Sequence, residues 1–491
     1  MSHLYFLYLS IVVLFAPSQT LATDFDTLRT PEQQLNAQDK ADQGDAESQF
    51  LLGVQYEKGD GVAKDPQKAA YWYQKSADSG FPEAQNNLGV LYLNGKGLPK
   101  DPKMAMKWFT KASELGLPIA DNNLGILYEN GLGVEKDLSK AFAWYKKSAE
   151  AGNSEGQYNM AFMYMKGNGI PKDMKQAINW FTKAAEQGDL DAQNNLGVIY
   201  EQGNGVSKDL NTAISWYTKA ANEGSLLAQT NLGVLYMNAE LPIQNTEKAI
   251  YWYKKAAAQG GVKAQNNLGY IYEHGLGLPK DLKKAIYLYE KAADKNYAMS
   301  QGNLGILYLN NKEVLDYKKA FFWLKKGADQ GYDEAQNNLG LLYMKGQGVK
   351  VDYSMAESLF LKAAEQGLAS AQHNLAIMYN NGMGVQQNYK QAFYWYQKAA
   401  EQGFDLSQNN LAVMYYKGEG VKKNLKKALF WYQKAAEQGL DVAQINLGYM
   451  YLDGEGVSKS FSKAKYWIGM AKDNGSSSAL KIWKEQKLWK Y

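Results

Sequence analysis

The feature that most constrains this chain is a phrase of 36 residues repeated twelve times in tandem. Copies begin at Ser48, Ala84, Ala120, Gly156, Ala192, Ala228, Ala264, Ser300, Ala335, Ala371, Ser407 and Ala443, and every step is 36 residues except one of 35, between Ser300 and Ala335. A fixed period of this length marks one supersecondary unit that buries its apolar face only against its neighbours, so the array is a solenoid. Such an array grows by addition, and the domain count that 491 residues would suggest no longer applies. The period points to an extended surface that holds something, without naming what.

Each copy reads as a helix pair. In the second, Ala84, Leu88, Leu91 and Tyr92 fall on one helical face. Gly89 shares that face, where a missing side chain lets a second helix approach closely. The loop Asn94-Gly95-Lys96-Gly97 breaks the helix. Asp101 followed by Pro102 is an N-cap with proline at the first helical position. Ala105, Trp108, Phe109 and Ala112 mark the second helix, and Gly116 closes it in the left-handed region. The N-cap slot holds Asp, Asn or Ser in all twelve copies, from Asp65 to Ser460. The closing slot is glycine in eleven and Asn296 in one. Tryptophan fills one slot of the second helix in ten copies, from Trp72 to Trp467, with Leu288 and Leu359 in the others. Lying on the alanine stripe, these are expected in the core. Two corners depart from the pattern: Asn238–Gln244 lacks Gly-x-Gly and contains Pro242, and the loop after Tyr308 lacks it and is one residue short.

The first 22 residues differ in kind. Leu4 to Ala16 is almost wholly apolar, followed by Pro17 and then Thr20-Leu21-Ala22, small residues where a signal peptidase reads. Thirteen apolar residues are too few to span a bilayer but suit a signal-peptide core, although only His3 precedes them as a basic side chain. The expected organisation is a signal peptide over 1–22, an N-terminal segment with a capping helix over 23–47, repeats over 48–478, and a C-terminal capping helix over 479–491. The expected location is periplasmic or secreted, with no membrane insertion after cleavage. With no cysteine, disulfides, thiolate metal sites and thiol catalysis are excluded. The 54 basic and 50 acidic residues are interspersed, with no block that would make a nucleic-acid footprint.

The paired half-motifs AxxNLGxxYxxGxGVxKD and KAxxWYxKAAEQG resemble Sel1-like repeats, relatives of tetratricopeptide repeats. The resemblance implies an all-α, α/α solenoid, a right-handed superhelix with first helices lining its concave face. It also implies a non-enzymatic adaptor that takes no cofactor and binds other proteins or peptides. Exported bacterial members are associated with envelope maintenance or host-cell interaction. One rival is a cell-wall protein that binds or hydrolyses peptidoglycan, for which no catalytic constellation stands out; the other is a purely mechanical envelope spacer with no specific ligand.

The clearest candidate site is an asparagine ladder directly before Leu-Gly or its equivalent: Asn87, Asn123, Asn159, Asn195, Asn231, Asn267, Asn303, Asn338, Asn374, Asn410 and Asn446. In tetratricopeptide proteins the matching position faces the groove, and an amide offers donor and acceptor to a peptide backbone without sequence preference. The structural reading is equally concrete: each Asn bridges to backbone of the adjacent helix pair. One position earlier the residue varies, as a selective groove or an unimportant exposed position would, with Tyr158 and His373 the most distinctive. The ten Gly-x-Gly loops follow helices, lack the third glycine and recur at each turn, so they are corners and not phosphate loops.

Overall fold

The computed structural model describes residues 38–491 apart from Ala239 and Leu241. The signal peptide expected over 1–22 and the start of the N-terminal capping helix therefore lie outside the described residues. Residues 38–42 are helical. Each repeat contributes two helices of thirteen residues, from Ala46–Lys58 and Pro66–Asp78 to Asp441–Asp453 and Phe461–Asp473. No strand occurs among the described residues. The protein is an all-α solenoid.

The chain divides into two compact units, 1–229 and 230–491, with the boundary inside the helix Leu226–Asn238. Within each unit the same packing recurs: a first helix lies on its own second helix, and that second helix lies on the next first helix. First helices of successive repeats also touch, as do Pro118–Asn130 with Ser154–Lys166 in one unit and Ala298–Asn310 with Asp333–Lys345 in the other.

Local chemistry explains why every pair turns alike. All twelve N-cap residues, from Asp65 to Ser460, accept a backbone N–H of the first helical turn, each stabilising the helix by about 1 kcal/mol. Each cap also closes the corner by donating its own N–H to the tyrosine carbonyl near the end of the first helix, as Asp101 does to Tyr92 at 2.8 Å. This bond survives at both irregular corners, Asn245 to Tyr236 at 2.8 Å and Asp316 to Tyr308 at 2.9 Å. The missing residue is absorbed in the loop, where Asn311 is extended instead of left-handed. Gly97 shows why the second loop glycine is needed: a Cβ there would lie 2.0 Å from the Pro66 carbonyl oxygen of the preceding repeat.

The core of each repeat is a large residue pressed on the Leu-Gly step of the first helix. A Cβ on Gly89 would stand 2.6 Å from the Phe109 ring, and one on Gly125 2.5 Å from Tyr145. Tyr73, Tyr145, Tyr217 and Tyr289 are fully buried, and each donates its hydroxyl to a glutamate of its own first helix, Glu57, Glu129, Glu201 or Glu273, at 2.6 to 2.8 Å. Phe109, Phe181 and Phe360 stand where the glutamate position is Leu93, Met165 or Met344, so these three rings bring no hydroxyl that would need an acceptor; Tyr253, opposite Met237, accepts from Asn267 instead. The tryptophans correct the sequence expectation. Trp72, Trp108 and Trp252 are buried, but the other seven are half-buried. They lie across the outer seam, where a lysine three residues on covers several of the indoles: Lys183 sits 3.7 Å from the centre of Trp180. The indole shields the alanine stripe while its outer face takes a cation.

After the last repeat, Ser477–Glu485 and a 3-10 turn Leu488–Lys490 bury Ala479, Ile482 and Leu488, and the helix packs on Phe461–Asp473.

Candidate functional site

The asparagine ladder lies along the seam between first helices, and its amides bridge repeats. Asn123 donates to Asn86 Oδ1 at 2.8 Å, Asn159 to Asn122 at 2.8 Å and Asn195 to the Tyr158 hydroxyl at 3.3 Å. In the second unit Asn303 donates to Asn266 at 3.0 Å, Asn374 to Asn337 at 2.9 Å and Asn446 to Asn409 at 3.1 Å. In each case the acceptor is the residue one before the ladder position in the preceding repeat. The bridge therefore runs to a side chain, where the structural reading of the sequence had expected backbone.

Two of the exceptions follow from what the preceding repeat offers. Gly302 has no acceptor, and Asn338 turns to the Glu334 carbonyl of its own helix at 2.8 Å. Phe50 offers none to Asn87, whose Oδ1 faces the Asn86 amide at 3.4 Å. Asn267 donates to the Tyr253 hydroxyl at 3.3 Å. Asn410 accepts from Asn409 at 3.2 Å. Asn231 occupies the same half-buried position.

The variable residues one position earlier are not an open selective surface. Asn86, Asn122, Asn194, Thr230, Asn266, Asn337, His373 and Asn409 are all buried, because the helix turns that position into the neighbouring repeat. His373 is 7% exposed, with Nδ1 2.8 Å from Ser407 Oγ, and burial holds its ring at about 4, well below the ordinary imidazole value. Tyr158 is half-buried, packs edge-on to Phe181 and has its hydroxyl pushed up, first by burial and then by Asp191. Near it, burial raises Glu155 and Asp191 and lifts Asp189 to about 6. Both distinctive residues thus serve inter-repeat packing.

A second amide network, overlooked in the sequence, lies two residues before the ladder. A buried glutamine there donates Nε2 to an alanine carbonyl at the end of the preceding second helix: Gln157 to Ala149 at 3.3 Å, Gln336 to Ala328 at 3.4 Å, Gln408 to Ala400 at 3.2 Å. Its Oε1 accepts from a glutamine that ends the second helix of the same repeat, as with Gln187, Gln330, Gln366, Gln402 and Gln438, at 2.6 to 2.8 Å. Where the helix ends in Ser79, Leu115, Glu223, Lys295 or Asn474, the matching oxygens of Gln49, Gln85, Gln193, Gln265 and Gln444 are buried without a partner. Asp121 replaces the glutamine once, buried at 2% and held by Ser113 Oγ at 2.5 Å and Lys147 Nζ at 2.9 Å.

The most exposed row beside the ladder lies one helical turn before it, although Glu155 accepts there from Asn122 and Glu334 from Tyr332. The row is Glu83, Ile119, Glu155, Asp191, Leu227, Lys263, Met299, Glu334, Ser370, Leu406 and Val442, apolar in five repeats, acidic in four, lysine or serine in the other two, and at least partly exposed in all. Leu227, Leu406 and Val442 are 42–48% exposed. An alternation of exposure with chemical variety at i−4 from an unvarying residue was available in the sequence, but only burial distinguishes it from the position at i−1. Among the described residues, no cluster of His, Asp or Glu is arranged to hold a metal, and no helix is long and apolar enough to cross a membrane.

Stacked helix pairs locked by side-chain amides, with a varied exposed row beside the lock, define a helical-repeat scaffold, an architecture typical of protein–protein interaction. The Sel1 repeat model matches twelve consecutive segments, from 46–81 to 441–476. The chain belongs to the Sel1 repeat family, whose members are generally non-catalytic scaffolds. Its fold is similar to that of c5321, a protective antigen of uropathogenic Escherichia coli with an SLR fold, at 32% identity over 92% of this chain and 97% of that one, TM-score 0.69. It is also similar to a Sel1 repeat protein from Oxalobacter formigenes, at 32% identity over 66% and 93%, TM-score 0.50. No curated protein matches the chain.

Proposed function

We propose that this chain is an exported scaffold that binds proteins or extended peptides along its first helices, in envelope maintenance or host-cell interaction. The observation that carries the reading is the pairing of a rigid seam with a varied exposed row. Ladder bridges hold successive first helices in register and glutamine bridges tie each first helix to the second helices it packs on, so the residues one turn earlier are presented without reorganisation, which lowers the cost of binding. The ladder amides contribute by positioning these helices, and their half-exposed edges remain within reach of a bound backbone. Export is supported by the apolar run Leu4 to Ala16 with Thr20-Leu21-Ala22 behind it, and exposure to a host by the similarity to a protective antigen.

Expression of the full chain in a bacterium, followed by fractionation and N-terminal sequencing, tests export; the expected mature end is Thr23, and a chain retaining Met1 in the cytoplasm refutes it. Crosslinking in the native envelope tests binding. Partners caught by the wild type and lost by a folded Leu227→Glu, Leu406→Glu, Val442→Glu variant support the first-helix surface. Unchanged capture moves the interface elsewhere.

A further inference from the structure

A second row of side chains runs along the second helices of unit 230–491. Directly before the tryptophan slot stand Tyr251, Tyr287, Phe322, Tyr394, Phe430 and Tyr466, each 48–59% exposed. Only the repeat with Ser358 interrupts them. In the other unit the same position is Tyr71, Lys107, Ala143, Asn179 and Ser215. The fold accepts a small or charged residue there, so stacking of the repeats does not require the rings.

The rings are held in place. Five stand edge-on to the adjacent tryptophan, with centroids 4.9 to 5.1 Å apart and planes at 76–79°. A lysine four residues on lies 4.6 to 5.9 Å from the ring centre in five repeats, from Lys255 to Lys434. A further exposed lysine often stands three residues before the ring, as Lys248, Lys284, Lys319 and Lys427 do, its ammonium group 5.2 Å from the centre of another ring, Tyr236, Tyr272, Tyr308 or Tyr415. The unit thus presents one chemical unit, an exposed flat ring with an ammonium group beside it, in five of its repeats.

We propose that this stripe is a binding track for a linear acidic polysaccharide, a chain of sugar rings bearing carboxylate or sulfate groups. A repeated identical site suits a ligand that itself repeats, because many weak contacts then add through effective concentration; a folded protein has no reason to meet the same pair five times. The C–H face of a sugar ring carries slight positive charge and lies on the negative face of an aromatic ring. The lysines complement the anionic substituents. An acidic peptide would use the lysines but not the rings. Nucleic acid is disfavoured because the sole arginine is Arg29, so this unit contains none of the forked guanidinium groups that grip phosphates and bases.

The test is equilibrium binding of the mature full chain to polygalacturonate, with dextran, poly-glutamate and oligo-dT as comparators. Expected are binding to polygalacturonate that weakens with salt and none to dextran. Changing Tyr287, Phe322, Tyr394 and Phe430 to Ser should weaken binding at least tenfold without altering the first-helix surface. Ser358→Tyr, which removes nothing from the fold, should strengthen it several-fold by filling the gap. Equal binding to dextran, or indifference to both sets of substitutions, overturns the proposal. Tighter binding of poly-glutamate or oligo-dT overturns it in favour of a peptide or nucleic-acid polyanion.

Discussion

His373 offers the sharpest test of how the seam is built. It stands where half of the repeats carry an asparagine, the residue that receives the ladder amide of the next repeat at Asn86, Asn122, Asn266, Asn337 and Asn409. Its ring packs against Tyr396 and Phe404, at 5.6 and 5.0 Å between centroids, with Ser407 as hydrogen-bond partner and the carboxylate of Asp405 close enough to oppose the effect of burial. Burial dominates and keeps the folded imidazole neutral down to about 4, against an ordinary value of 6.5. Between those values the unfolded chain binds the proton and the folded chain does not. The contribution to stability is therefore fully present above 6.5 and is lost as pH falls towards 4, an effect of order 3 kcal/mol. His373→Asn supplies the amide oxygen that Asn337 supplies to Asn374, and removes the titrating group. Urea unfolding followed by circular dichroism between pH 7.5 and 4.5 should show the wild type losing stability relative to the variant as the solution is acidified. Asp189, raised to about 6, acts in the opposite sense, its stabilisation fading as pH rises from 3.8, but it is common to both proteins and cancels in the difference. A difference that stays flat with pH, or that favours the wild type in acid, would refute the argument.

The other expectations concern the same seams, each read by urea or thermal unfolding. Asn374→Leu strips the buried Asn337 oxygen of its donor and should cost about 1–3 kcal/mol, whereas Asn338→Leu, opposite Gly302, should cost less than about 1 kcal/mol; equal losses would mean that the bridge contributes nothing. Gln366→Leu should destabilise by about 1–2 kcal/mol by orphaning Gln336 Oε1, while Leu115→Gln should stabilise by up to about 1 kcal/mol by giving Gln85 Oε1 a partner. Should neither change move the midpoint, water already satisfies those oxygens. Gly125→Ala should cost about 1–3 kcal/mol through overpacking, because Tyr145 is tied to Glu129 and cannot withdraw; Ala161, Ala376 and Ala412 occur where the facing ring has no such glutamate tie. A neutral Gly125→Ala would show that the ring yields.

Much of the fold was legible because its signals are local. Caps, left-handed glycines and apolar stripes act within a few residues and recur twelve times, so the helix pairs and the solenoid follow from the chain itself. The family was legible for the same reason. Even the tyrosine–glutamate pairing can be read from composition slot by slot, since both residues lie in one repeat sixteen positions apart.

What the sequence could not supply is the offset between repeats. The period is 36 residues, yet the ladder amides meet partners 37 residues away. That single step reflects how side chains lean towards the helix N-terminus and how neighbouring first helices are displaced. It decides that the variable position before the ladder is buried. It also decides which aromatic rings remain uncovered. The sequence by itself determined the repeating unit, because the unit's energetics are local; the faces left for partners were decided only when the units stacked, because burial is a property of neighbours.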